Sequence, residues 1–118
     1  MKNPTFDRLV QELTPLLGSA KDHESNSGAR FTSSKKGKAT IYHGNLAPGN
    51  QAEIAIDITS NAMRLGISEQ EMRERVADAR ARTGREVETN IQYDWPRIGL
   101  STQEHIPTVL AAMLAEAS

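Results

Sequence analysis

Cysteine is missing from the chain altogether. That removes disulfide cross-links, thiolate metal sites and cysteine nucleophiles together, and it fits a reducing compartment. Aromatic side chains are scarce, with one tryptophan, two tyrosines and two phenylalanines in 118 residues. A hydrophobic fraction of 37% then implies a thin core beneath a large solvated surface. No apolar run approaches the roughly 18 residues that span a bilayer. Met1-Lys2-Asn3-Pro4 leads straight into an amphipathic pattern, not into the apolar stretch of a secretion signal. A cytoplasmic protein without membrane association is therefore expected. An excess of either charge is lacking too: 14 Lys and Arg stand against 15 Asp and Glu, a net −1. This argues against a dedicated polyanion binder, which carries a basic excess overall, and leaves room for a local basic patch.

What is present is a succession of short amphipathic elements. Phe6, Leu9, Val10, Leu13, Leu16 and Leu17 recur at helical spacing behind Asn3 and Pro4, a cap and a residue suited to the first helical position, and Gly18 ends the run. Residues of about 18–30 are small, polar and aperiodic and read as a flexible loop. Strands are expected over 30–34 and 38–43 around a Lys35-Lys36-Gly37 turn. A third is expected over 52–59, where Ile54, Ile56 and Ile58 alternate with Glu53, Ala55 and Asp57. A short helical turn at 61–65 precedes a helix opened by Ser68 with Glu71 three residues on, carrying Met72, Val76, Ala79 and Thr83 on one stripe and stopped by Gly84. Residues 85–93 alternate again and read as a fourth strand. Asp94 to Arg97 form a loop, and Ile106, Val109, Leu110, Met113 and Leu114 mark a last helix with Pro107 in its first turn. With no repeat and no linker, the expectation is a single domain over residues 1–118. It is a small two-layer α+β fold, its mostly antiparallel four-stranded sheet covered by helices on one face, in the order α-β-β-β-α-β-α.

No catalytic or metal-binding constellation stands out. His23, His43 and His105 lie in three separate elements without helical metal spacing, and no cofactor motif is present. Gly37-Lys38-Ala39-Thr40 lacks the upstream glycine and following helix of a phosphate-binding P-loop. Glu53 and Asp57 are four strand residues apart, roughly 13 Å, too far to share one metal. The arginines of the middle helix follow acids at i, i+4 (Glu69–Arg73, Glu71–Arg75, Asp78–Arg82), so the helix face neutralises itself.

Three surfaces remain. Tyr93, Trp95 and Arg97 combine the residue types most enriched at binding hot spots, although covering a core edge is the commoner role for such a tryptophan. The side of the sheet opposite the isoleucines is expected to gather Glu53, Asp57, Glu86 and Glu88 into an acidic face for a basic partner. Arg30, Lys35, Lys36 and Lys38 form a basic hairpin able to meet phosphates. The leading expectation is a non-enzymatic protein-interaction module, through a partner or by self-association as a homodimer. An accessory nucleic-acid-binding protein using Arg30, Lys35, Lys36 and Lys38 is the alternative. A small enzyme in which His43, Tyr42 and Asp57 converge is the third reading.

Overall fold

The computed structural model describes residues 3–22, 27–87 and 95–114. Helix α1 (Pro4–Leu17) begins where Asn3 accepts the Phe6 amide and ends at Gly18, burying Leu9, Leu13 and Leu17. Strands β1 (Lys21–Asp22), β2 (Gly28–Ser33), β3 (Gly37–Tyr42) and β4 (Ala52–Ile56) follow, then helices α2 (Ile58–Leu65) and α3 (Glu69–Thr83), strand β5 (Arg97–Leu100), a 3-10 turn over Gln103–His105 and helix α4 (Ile106–Met113). The five strands form an antiparallel sheet in chain order.

The α+β class and the antiparallel sheet match the sequence expectation, with five strands in place of four. Three boundaries differ. Lys21–Asp22 and the start of β2 lie in the stretch expected to be a loop; residues 23–26 are outside those described. The strand expected over 52–59 stops at Ile56, because Asp57 caps α2 by accepting the Ser60 amide, and Ile58 is already helical. An aspartate three residues before a serine amide satisfies an otherwise orphaned helix donor, which outweighs continued alternation. The strand expected over 85–93 is not seen in its described part, 85–87, and residues 88–94 are outside the described set. The partner of β4 is instead Arg97–Leu100. Ser68 and Gly84 bound α3 as the capping pattern requires, Gly84 in the left-handed region at φ 65°.

Register decides which residues share a face. Phe31, Ala39 and Ile56 align, as do Ala29, Ile41, Ile54 and Ile98. This face packs on Leu9, Leu13 and Leu17 of α1, Met72 and Val76 of α3, and Ile106 and Val109 of α4 in one apolar cluster. All the large helices thus lie on one side. The second face carries Arg30, Thr32, Lys38, Thr40, Tyr42, Glu53, Ala55, Arg97 and Gly99. The sheet edge at β1 is blunted: that strand has two residues, both charged and exposed.

Candidate functional site

Among the described residues the second face is not the acidic surface that alternation implies. Because β5 starts at Arg97, a guanidinium is delivered beside β4. Glu53 is completely buried and pairs with Arg97 Nη1 at 3.1 Å. Its other oxygen accepts the Ala47 amide and Asn50 Nδ2. Arg97 lies 4.2 Å from the centre of the Tyr42 ring. Asn50 also donates to the Glu86 carbonyl and accepts from Arg85 Nε, so the turn after β3 is tied to the segment leaving α3. This buried network holds the fold together, and Glu53 is not offered to a surface partner.

The remaining expected site residues scatter. Asp57 is spent on capping α2 and on the Ser60 hydroxyl. Trp95 is half-buried just before β5, whose register with β4 is extended by the Ile56 amide donating to the Pro96 carbonyl. Tyr93 and Glu88 are outside the described residues. His43, Tyr42 and Asp57 do not converge: Tyr42 faces Glu53 and Arg97, whereas the Asp57 amide bonds the Lys38 carbonyl, four strand residues away or roughly 13 Å. His43 turns the other way and meets the Phe6 ring edge-on at 4.7 Å. His105 accepts the Ser101 amide at Nδ1, a local turn contact.

The two basic clusters separate clearly. On α3, Arg75 pairs with Glu71 and Arg82 with Asp78, as the i, i+4 spacing required. A cleft of about 360 Å³ between α3 and α4 is lined by these same arginines together with Asp78 and Pro107, so its charge is already balanced. At the β2–β3 turn the situation is the reverse. Lys35 and Lys36 are exposed and Lys38 is half-buried. Among the described residues none of the three ammonium groups makes an ion pair or hydrogen bond. Arg30, behind them on the second face opposite Thr40, is half-buried and already engaged.

The turn is held rigidly by α2. Lys38 donates its amide to the Ser60 hydroxyl, and its carbonyl accepts from Asn61 Nδ2, which also bonds the Asp57 carbonyl. Asn61 is fully buried. Its Oδ1 accepts from Arg64 Nη2, which brings a fourth cation to the same end of the sheet. Sequence reasoning missed Arg64; the signal was Asn61-x-x-Arg64, an i, i+3 pair on one helix face. Gly37 has φ +110°, and a β-carbon there would collide with Asn61 Oδ1 and lie 3.1 Å from Arg64 Nε. Gly37→Ala is expected to lower the unfolding free energy by about 1–3 kcal/mol, read from a urea melt. An unchanged midpoint would mean that the turn and α2 are not in contact.

Comparison with protein-family models, with curated proteins and with solved structures finds no match for the chain.

Proposed function

We propose that the protein is a nucleic-acid-binding module that meets phosphates with the β2–β3 turn. The observation that carries this is the contrast between Arg75 and Arg82, each paired with an acid of α3, and unpartnered Lys35, Lys36 and Lys38 clustered on a turn braced by α2. The net charge of −1 does not oppose it. At physiological salt, fields decay over about 8 Å, so a ligand at the turn feels the nearby lysines more than the distant balanced helix. A protein-docking role has less support. Met63 and Leu114 are the only exposed large hydrophobics among the described residues, whereas protein interfaces bury an apolar centre. Arg97 is committed to Glu53, and the β1 edge is too short and charged to template pairing with a second copy. The polar tip Ser33-Ser34-Lys35-Lys36 offers a bilayer nothing apolar to insert.

Fluorescence anisotropy with a labelled single-stranded oligonucleotide tests the proposal. Three phosphate contacts predict that log affinity falls with log salt at a slope no shallower than about −2, at about −0.7 per contact. The variant Lys35→Gln/Lys36→Gln/Lys38→Gln should lose binding without a lower melting temperature. A parent protein that ignores the oligonucleotide at low salt, or binds only anionic vesicles, contradicts the reading.

A further inference from the structure

We infer that Arg64 is a preorganised phosphate contact completing the site at the β2–β3 turn, an inference that rests on the nucleic-acid reading above. Arg64 is half-buried on α2, and the one hydrogen bond it makes among the described residues runs to Asn61 Oδ1, a neutral acceptor. Its Nε is buried against Gly37 without a partner. No carboxylate among the described residues pairs with it: Asp57, the acid closest in the bonding network, is occupied by Ser60. Burial also pushes the Arg64 guanidinium below its ordinary range, which marks a desolvated cation without internal compensation. Arg97, the more deeply buried guanidinium, does have its carboxylate.

A partly buried, uncompensated cation is unfavourable for folding alone, and an external anion removes the deficit. A planar guanidinium with free Nη donors matches phosphate oxygens better than an ammonium does. Asn61 and Gly37 fix its direction beforehand, so little side-chain entropy is lost on binding. The Lys36 stem runs past Gly18 at the end of α1, where a β-carbon would lie 3.5 Å from its Cδ. The contacts number four, Lys35, Lys36, Lys38 and Arg64, all to backbone phosphates and none to bases.

Salt titrations of the parent, Arg64→Met and Arg64→Lys with the same single-stranded oligonucleotide decide the matter. The parent slope should lie near −3, and Arg64→Met should bring it near −2 while weakening binding about tenfold whatever the base sequence. Arg64→Lys should keep the steeper slope and still weaken binding severalfold, since the charge remains and the planar fork does not. Arg64→Lys, which keeps a donor for the buried Asn61 Oδ1, should not lower the melting temperature, whereas loss of a purely structural arginine would. Parent-like slope and affinity in Arg64→Met overturn the inference, and so does weakened binding that tracks a lower melting temperature in both variants. If the parent binds and the triple lysine variant does not, while Arg64→Met binds like the parent, only this inference fails. If the parent itself does not bind, the nucleic-acid reading fails first.

Discussion

Truncating Glu53 to alanine is expected to destabilise the fold by about 3–5 kcal/mol, the usual result of breaking a buried ion pair from one side. Glu53 has no exposed surface, and Arg97 opposite it is only 9% exposed. Without the carboxylate the guanidinium stays beneath the surface against the Tyr42 ring with no counter-charge among the described residues, and the Ala47 amide and Asn50 Nδ2 lose their acceptor. Each buried donor left unpaired adds its own desolvation penalty. Replacing Glu53 and Arg97 together with methionine should cost much less than the two single changes added, because no lone charge is left behind. Urea denaturation of the two single variants and the double variant measures this. A Glu53→Ala loss below about 1 kcal/mol would show that the pair is not sealed from water.

Ile56→Ala should cost about 2–5 kcal/mol, the range for removing a large aliphatic side chain from a packed core. Ile56 is fully buried in β4, aligned with Ala39 and Phe31 under the helices. Arg75→Ala should cost under about 1 kcal/mol, because its ion pair with Glu71 spans 3.6 Å and the glutamate is half exposed. Thermal melts of the two variants compare them, and equal losses would refute the core assignment.

Local signals explain why part of this fold was readable. Asn3, Ser68 and Gly84 act within one helical turn of their own position, so capping places α1 and α3 without tertiary information. The hairpin at Gly37 and the alternating isoleucines of β4 are equally local. β5 was hidden because its four residues follow a proline and include an arginine and a glycine, a pattern that propensity does not favour as a strand. Its place beside β4 comes from tertiary pairing, and alternation without that pairing puts no cation beside Glu53 on the second face. Glu53 looked exposed because its partner stands 44 residues away. Asp57 continues the alternation and so suggests strand, although its capping role is also written in the sequence. The basic turn was legible as a charge run, but two structural facts were not: α2 braces it, and Arg64 joins it.

Amide chemical-shift mapping during titration with a single-stranded oligonucleotide shows whether phosphates are met at the β2–β3 turn. The largest shifts are expected on Ser33 to Lys38 and on Ser60 to Arg64, with α3 and the Trp95 region nearly silent. Shifts concentrated on α3, α4 or Trp95, or no shifts at low salt, would contradict a phosphate site at this turn.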